Sequence, residues 1–158
     1  MVKASKDFII IAPITSVANI DIGNLLVEGK LRVGYTSIKE PFLLPDGTKQ
    51  KFGNIVWLTS FPVERPERNF TKTLANQSYQ TYDNLPNVLF IDKCRNIPAD
   101  YNGIMAVPIS FLCSHCDKQF ALVDGRTLHN SKYAICAGYE NTVTGKHEFT
   151  RLFVRRRT

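Results

Sequence analysis

The segment Asn87–Leu112 constrains the fold of this 158-residue chain more than any other. It begins with the apolar run Val88–Asp92, which predicts a strand, and it closes with the apolar segment Ile104–Leu112. Between these runs lies Ile97–Gly103, which must be a shaped loop because a proline and a glycine bracket it. The sequence therefore predicts a buried strand, a fixed loop and a second apolar element, in that order.

The first 35 residues carry the pattern of a strand, a helix and a second strand. Lys6–Ala12 is an apolar, β-branched run closed by a proline, which is typical of a central strand covered on both faces. Ser16 is a candidate helix N-cap, and the helix is expected to end near Gly29. The apolar stripe of this helix would be formed by Ala18, Ile22, Leu25 and Leu26. Because Leu31–Tyr35 follows as a strand, we expect a βαβ unit in a parallel sheet.

Turn and strand signals continue along the rest of the chain. Pro45-Asp46-Gly47 predicts a turn that leads into a strand at Asn54–Phe61, followed by a polar, basic connection at Pro62–Lys72. Further strands are predicted near Phe120–Val123, Tyr133–Ala137 and Phe149–Arg155. No internal repeat interrupts this order, so we expect residues 1–158 to form a single domain.

Composition indicates a chain that can bury a core of its own and that favours a polyanionic partner. Hydrophobic residues make up 44% of the sequence, and the formal net charge is +6. The run Phe8–Ile11 is too short for a secretory signal and is followed by a proline, and no segment approaches the ~20 apolar residues that span a bilayer. We therefore expect no membrane partner, a cytoplasmic location, and cysteines that stay reduced.

Arginines at two places are candidates for contact with a nucleic-acid backbone. Arg65 and Arg68 lie in the basic connection, although a solvated charged loop is an alternative explanation. In the last strand Arg151 and Arg155 alternate with Phe153, a pattern that can grip a backbone and stack on bases. The alternative there is a buried strand whose phenylalanines pack under a helix, with residues 155–157 forming a frayed tail.

The polar residues give no catalytic constellation, but they leave a zinc site open as an alternative. Cys113 and Cys116 form a C-x-x-C pair, and His129 and Cys136 follow at a distance where a four-ligand site is conceivable. The spacing is loose, so reduced structural thiols are the alternative, and we assign no metal ligand. No histidine has a partner at a spacing that indicates catalysis, so we assign no catalytic residue.

Several motifs resemble those of the EcoRI-type adenine-specific DNA methyltransferases. The Ile97–Ile109 segment resembles the core Ile-Pro-x-Asp-Tyr-x-Gly-x-Met-x-Val-Pro-Ile of that family, and Gly53–Ser60 is similar to its Trp-Phe-Thr-Asn region. Tyr82–Asn84 matches a Tyr-Asp-Asn element, and Gln119-Phe120 also fits. Within the core motif the loop residues of interest are Asp100, Tyr101, Gly103 and Pro108. Asp100 would either contact DNA or fix the loop by accepting backbone hydrogen bonds.

The resemblance implies a fold, a methyl donor and a substrate. The implied fold is α/β, a partial doubly wound, Rossmann-like methyltransferase sheet, mixed parallel and antiparallel, with loop insertions. The implied donor is S-adenosylmethionine, and the implied substrate is an adenine of duplex DNA, flipped out of the stack. Two motifs that such an enzyme needs are missing from this sequence, since it contains neither Gly-x-Gly nor two adjacent prolines. Asn84-Leu85-Pro86-Asn87 is the nearest approach to the Asn/Asp-Pro-Pro-Phe/Tyr segment.

These absences predict the C-terminal part of a restriction-modification methyltransferase that does not act alone. A fragment, a split gene and a degenerate remnant would all produce this pattern. A parallel sheet cut at Phe8–Ala12 would leave an open strand edge, so we expect a second polypeptide with the N-terminal half, or another copy of the chain, to pair there. The alternatives are a non-catalytic nucleic-acid-binding module and a small zinc-stabilised interaction domain.

Overall fold

The computed structural model describes residues 6–82, 85–128, 140–141, 146–147 and 150–158, the two short pairs by their backbone alone. Within these residues the architecture is α/β, with two larger sheets, one α-helix and several 3-10 turns. The helix α1 spans Ile20–Val27. The strands are β1 (Ile9–Pro13), β2 (Arg32–Val33), β3 (Phe42–Leu43), β4 (Lys49–Gln50), β5 (Ile55–Thr59), β6 (Gln80–Tyr82), β7 (Leu85–Phe90), β8 (Ile104–Pro108), β9 (Phe120–Val123), β10 (Glu140–Asn141), β11 (Lys146–His147) and β12 (Arg151–Arg156).

The first sheet contains the predicted strand, helix and strand, but not as neighbouring parallel strands. Its order is β1-β5-β2, and β5 is antiparallel to both of the others. Strands β1 and β2 therefore run in the same direction, joined by α1, with β5 between them. The prediction of a parallel sheet at this point was wrong because the ladder from Ile9 to Pro13 is completed by a strand more than 40 residues further along the chain.

Helix α1 begins later than predicted and ends where predicted. Its N-cap is Asn19, whose side-chain oxygen accepts a hydrogen bond from the Asp21 amide at 3.0 Å, whereas Ser16 lies in a preceding 3-10 turn. At the other end Gly29 takes a φ of 69°, and the Lys30 amide donates to the Leu25 carbonyl at 2.9 Å. This left-handed cap requires glycine and confirms the predicted end of the helix.

Strand β1 is an edge strand and is not covered on both faces. It pairs only with β5 among the described strands, and its three isoleucines Ile9, Ile10 and Ile11 remain 59%, 40% and 43% exposed. On the helix side, Val56 and Leu58 of β5 are buried. The expectation of a buried central strand was therefore wrong within the described residues, and β1 has an open side.

The second sheet has the order β6-β7-β8-β12-β9, with β7 and β8 parallel and the other neighbours antiparallel. The sheet is thus mixed, as predicted. Strand β9 has the predicted bounds, while β7 begins three residues earlier than predicted and ends two earlier. The predicted strand at Tyr133–Ala137 lies outside the described residues, as does Phe149.

The alternating pattern of β12 divides the core between the two faces of this sheet. Leu152 and Val154 belong to the larger hydrophobic cluster, which continues under α1, whereas Phe153 belongs to a smaller cluster with Tyr82 and Val88. All three β12 residues are essentially inaccessible to solvent. The last predicted strand is therefore a central strand, buried on both faces.

Strands β3 and β4 form a separate two-stranded ribbon around the predicted turn. Gly47 has a φ of 80°, and the Leu44 amide donates to the Thr48 carbonyl at 2.8 Å. The Asp46 carboxylate accepts hydrogen bonds from the Thr48 hydroxyl and amide at 2.6 and 2.9 Å, which lower the pKa of that carboxyl. The turn prediction is confirmed, and the ribbon was not anticipated. Within the described part of the chain, no helix has both the length and the apolar character needed to cross a bilayer.

Candidate nucleic-acid interface

The basic connection Pro62–Lys72 is held by Arg65 to the end of β2 in the first sheet and to the segment that joins β8 and β9 of the second sheet. The guanidinium of this residue donates from Nη2 to the Val33 and Gly34 carbonyls at 3.0 and 2.7 Å, and from Nη1 to the His115 carbonyl at 3.4 Å. Partial burial lowers the pKa of Arg65, although an arginine stays charged in a protein. Arg65 therefore serves as a clamp, with only part of its donor fork left for a phosphate.

Arg68 is fixed in the same connection by the side chain of Gln119. The amide of Arg68 donates to the Gln119 Oε1 at 3.1 Å, and its carbonyl accepts from the Gln119 Nε2 at 2.7 Å. Its guanidinium donates to the Ser114 hydroxyl at 2.8 Å and lies 5.5 Å from the Phe70 ring centre. The prediction of a freely solvated loop does not describe this segment, because side chains and backbone order it on both sides.

The arginines of β12 have different environments. Arg151 is only 8% exposed, donates from Nη1 to the Ile91 carbonyl and lies 4.1 Å above the centre of the Phe90 ring. Arg155 is exposed. A phosphate contact by Arg151 is incompatible with this burial, because the guanidinium is already engaged inside the sheet, whereas Arg155 remains accessible.

Arg156 shows that the end of the chain is not a frayed tail. Its Nη2 donates to the Pro98 carbonyl at 3.0 Å, and its guanidinium lies 4.8 Å from the Phe120 ring centre and 5.4 Å from that of Phe70. Burial lowers the pKa of Arg156. The Arg157 amide also donates to the Gln119 carbonyl at 2.9 Å. The alternative of a loose basic tail was wrong here, because its second arginine is packed against aromatic rings.

The core motif loop is held by Asp100. The sequence left two roles open for this residue, contact with DNA and fixing of the loop. Both of its carboxylate oxygens accept from the Leu74 amide, at 3.0 and 3.3 Å. The Ala99 amide donates to the Lys72 carbonyl at 2.7 Å, so the loop is tied to the end of the basic connection. Asp100 therefore fixes the loop by accepting hydrogen bonds from the backbone at Leu74, the second of these roles.

Tyr101, Gly103 and Pro108 complete the geometry of this motif. The Tyr101 ring lies directly over Gly103, where an added Cβ would come within 2.2 Å of the tyrosine hydroxyl oxygen. The hydroxyl donates to the Asn87 carbonyl at 3.4 Å, and burial raises the pKa of Tyr101. Pro108 ends β8 opposite Arg151. A side chain at position 103 would therefore have to displace the Tyr101 ring.

The cysteine pair does not assemble a metal site from the described residues. Cys116 is buried and its thiol donates to the Arg65 carbonyl at 3.1 Å, whereas Cys113 is exposed. His115 contacts the Phe120 carbonyl through Nε2 at 3.0 Å, and burial lowers the pKa of this imidazole. No group of three suitable ligands occurs in the described part of the chain, and His129 and Cys136 lie outside it.

On the face of the first sheet that carries Ile9 lies an apolar cleft of about 460 Å³. Its aromatic residues are Tyr35, Trp57 and Phe61, and Ile9 of β1 completes one wall. Trp57 approaches the backbone so closely that a Cβ on Gly34 would be 2.7 Å from the tryptophan Cβ. The cleft therefore adjoins Ile9, whereas Ile10, opposite the buried Leu58, lies on the other face of the sheet. The sequence alone did not reveal this cleft because the strand was expected to be buried.

The described residues do not fit a methyl-donor site. The connection from β1 to α1 contains no glycine, and the two glycines with positive φ, Gly29 and Gly47, serve a helix cap and a hairpin turn. Pro86, from the nearest approach to the base-binding motif, lies inside β7, and Asn84 is outside the described residues. Neither the connection from β1 to α1 nor the start of β7 therefore supplies a glycine-rich turn or a pair of prolines.

Comparison with known proteins identifies the family. The model of the family described as adenine-specific methyltransferase EcoRI matches residues 1–157. The chain belongs to this family. The match to the EcoRI methyltransferase family covers the core motif loop, the basic connection and β12, and the structure joins these segments through contacts of Asp100, Gln119 and Arg156.

Three relatives are type II methyltransferases by name. M.EcoRI of Escherichia coli is 28% identical over 176 aligned positions, which cover 98% of this chain and 52% of the relative. M.MgeORF184P of Mycoplasma genitalium is 30% identical, with 68% of this chain and 38% of the relative covered, and M.MpnI of Mycoplasma pneumoniae is 29% identical, with 73% and 40% covered. The chain spans about half the length of the first relative and less of the others. No solved structure shows significant similarity to the chain.

Proposed function

We propose that this chain supplies the DNA-contacting part and the sheet scaffold of an S-adenosylmethionine-dependent, adenine-specific DNA methyltransferase of a restriction-modification system, and that it does not transfer methyl groups alone. Membership of the EcoRI methyltransferase family supports the reaction class. The absence of Gly-x-Gly and of adjacent prolines from the sequence supports the inactivity. Residues 1–158 would act as one domain in the cytoplasm.

The open side of β1 is the observation that carries this proposal. Hydrogen-bonded and non-hydrogen-bonded residue pairs alternate along an antiparallel ladder. Phe8 and Ser60 are a hydrogen-bonded pair, since the Ser60 amide donates to the Phe8 carbonyl at 3.2 Å. The amides of Ile9 and Ile11 consequently point away from β5, towards the open edge. An unpaired, apolar edge of this kind favours pairing with another strand.

The partner would be a second polypeptide that carries the two missing motifs. Fully burying one isoleucine side chain contributes about 1.5–3 kcal/mol, so covering three that are roughly half exposed would contribute on the order of 2–4 kcal/mol. A strand added beside β1 would extend the first sheet, and the whole would then form a doubly wound sheet with β5 as an antiparallel member. A second copy of this chain is the competing occupant.

The proposed DNA contacts are made by the accessible cations of the interface. Arg155 is exposed, while Arg65 and Arg68 retain part of their donors on the ordered basic connection. Arg151 is left out because its guanidinium is buried. These contacts would position the duplex, and the partner would supply the reaction centre.

The test is a methyl-transfer assay with S-adenosylmethionine and duplex DNA. The chain alone should give no transfer and should bind no donor in a calorimetric titration. Adding a polypeptide from the same family that carries the glycine-rich turn and the Asn/Asp-Pro-Pro-Phe/Tyr segment should restore both. With a control chain that carries Ile9→Lys and Ile11→Lys on the open edge, the added polypeptide should restore neither methyl transfer nor donor binding. Transfer by the isolated chain would refute the proposal, and DNA binding that no partner converts into transfer would favour a non-catalytic DNA-binding module.

A further inference from the structure

The β3–β4 ribbon is a projecting element that none of the functions assigned above uses. It pairs with no other strand in the described part of the chain, and its turn is fixed by Gly47 and by the hydrogen bonds of Asp46. Phe42 and Phe52 stack edge to face with ring centres 5.8 Å apart. These contacts hold the turn and the two ends of the ribbon together.

The two faces of the ribbon differ in character. Leu43 is directly opposite Lys49 in the ladder, so both lie on one face, and alternation places Lys51 there too. The stacked rings of Phe42 and Phe52 lie on the other face. The distribution leaves an apolar side chain on one strand beside two cations on the other, all on the first face.

The first face is fully available to a partner. Leu43 is 71% exposed, the largest value among the exposed large hydrophobic residues of the described chain, and both lysines are exposed. Neither lysine takes part in an ion pair with any described residue. A single exposed leucine is ordinary on a protein surface, but one that lies beside two lysines without ion pairs among the described residues is complementary to a polyanion that also presents apolar groups.

Duplex DNA has this combination in its major groove. The groove admits a two-stranded β-ribbon, its walls are lined by phosphates, and thymine presents a methyl group on its floor. We propose that the β3–β4 ribbon enters the major groove of DNA, where Lys49 and Lys51 contact phosphates and Leu43 contacts thymine methyl groups. This inference rests on the proposed function and adds to it a contact surface outside the arginine interface.

The first experiment measures the salt dependence of binding to a mixed-sequence 20-base-pair duplex. Each phosphate contact contributes about −0.9 to the slope of log K against log[salt], so the double variant Lys49→Ala, Lys51→Ala should have a slope less steep by about 1.8. Its affinity at 0.1 M salt should fall roughly 60-fold by the same relation. The variant Lys49→Arg, Lys51→Arg should keep the slope. The control Lys30→Ala, which removes a lysine paired with Glu28 at 2.9 Å, should leave it unchanged.

The outcomes separate this inference from the proposed function. If the unaltered chain binds DNA with a salt-dependent affinity and the lysine-to-alanine variant binds equally well, the ribbon does not contact DNA and the proposed function stands. If the unaltered chain shows no salt-dependent binding, both are overturned. If the arginine variant loses as much slope as the alanine variant, charge is not the cause of the loss and the inference is refuted.

The second experiment tests the position of Leu43 with a duplex in which uracil replaces every thymine. This change removes only the methyl groups of the groove floor. The unaltered chain should bind the uracil duplex about fourfold more weakly, from the transfer free energy of one buried carbon group. Leu43→Ala should bind both duplexes with the same affinity. Equal sensitivity of the two proteins to the replacement would overturn the major-groove placement.

Discussion

Replacing Arg65 with alanine tests whether this residue orders the basic connection by joining the end of β2 to the segment around His115. The change removes three hydrogen bonds, to the carbonyls of Val33, Gly34 and His115, at 3.0, 2.7 and 3.4 Å. Each such bond contributes about 0.5–1.5 kcal/mol net, and the longest should contribute least. The carbonyls regain water because the site is only partly buried, so we expect Arg65→Ala to lower the free energy of unfolding by about 2–3 kcal/mol.

Urea unfolding followed by circular dichroism measures this loss, and thermal unfolding should show a melting temperature lower by roughly 4–12 °C for a chain of this size. Arg65→Lys should recover less than half of the stability, because an ammonium cannot span the carbonyls with a planar fork. The matched control is Arg95→Ala, since Arg95 is exposed and forms no side-chain hydrogen bond with the described residues. A loss below about 0.5 kcal/mol for Arg65→Ala, or an equal loss for the control, would refute the clamp.

Three other sites each give a testable expectation. Gly103→Ala should lower the free energy of unfolding by about 1–3 kcal/mol, because its Cβ would lie 2.2 Å from the Tyr101 hydroxyl. The control Gly53→Ala should change the free energy of unfolding little, because no atom lies within 4 Å of the added Cβ. Equal urea midpoints for the two variants would contradict this expectation. Burial lowers the pKa of His115 below its usual 6.5, so the unfolded state binds more protons than the folded state. The free energy of unfolding should therefore be highest above that pH and should fall as the pH decreases below it. Measurements of unfolding between about pH 5.5 and 7.5 should show this dependence in the unaltered chain and not in His115→Gln. Arg155→Ala should reduce the steepness of the DNA-binding salt slope by about 0.9 without changing the melting temperature, and an unchanged slope would remove this residue from the interface.

The sequence predicted local features best where the signal was itself local. The end of α1 at Gly29 and the Asp46-Gly47 turn are both confirmed, because each depends on a backbone conformation that few residues adopt. The β9 strand has the predicted bounds for a related reason, a short apolar run between turn signals. The N-cap was misplaced by three residues because Ser16 and Asn19 are both good caps, and the preceding 3-10 turn that decides between them has no sequence signature.

The apolar pattern of the sequence could not predict which distant strands pair with one another. An apolar run such as Ile9–Ala12 reads in the same way whether it is buried in the middle of a sheet or lies at an open edge. The partner of β1 is β5, and nothing in either segment specifies that β5 lies between β1 and β2. The parallel βαβ sheet was therefore a sound expectation from chain order that the ladder of β5 overturned.

The sequence named several residues of the candidate interface but did not predict what each of them contacts. Alternation in β12 indicated two faces, but it could not show that Arg151 is buried against Phe90 while Arg155 is exposed, because that depends on which strands flank β12. Gln119, which holds Arg68 by two hydrogen bonds, was noted only as part of a resemblance. A glutamine that follows a C-x-x-C segment has no distinguishing signal of its own.

Hydrogen exchange at the edge of β1 tests the central claim most directly. The amides of Ile9 and Ile11 should exchange rapidly in the isolated chain, because they point away from β5. When the polypeptide with the donor and base-binding motifs is added, these two amides should become protected by about 100-fold or more, while the paired amide of Ile14, bonded to the Asn54 carbonyl at 2.7 Å, should change little. Restored methyl transfer with no added protection at Ile9 and Ile11 would contradict the claim that the proposed partner polypeptide docks on this edge.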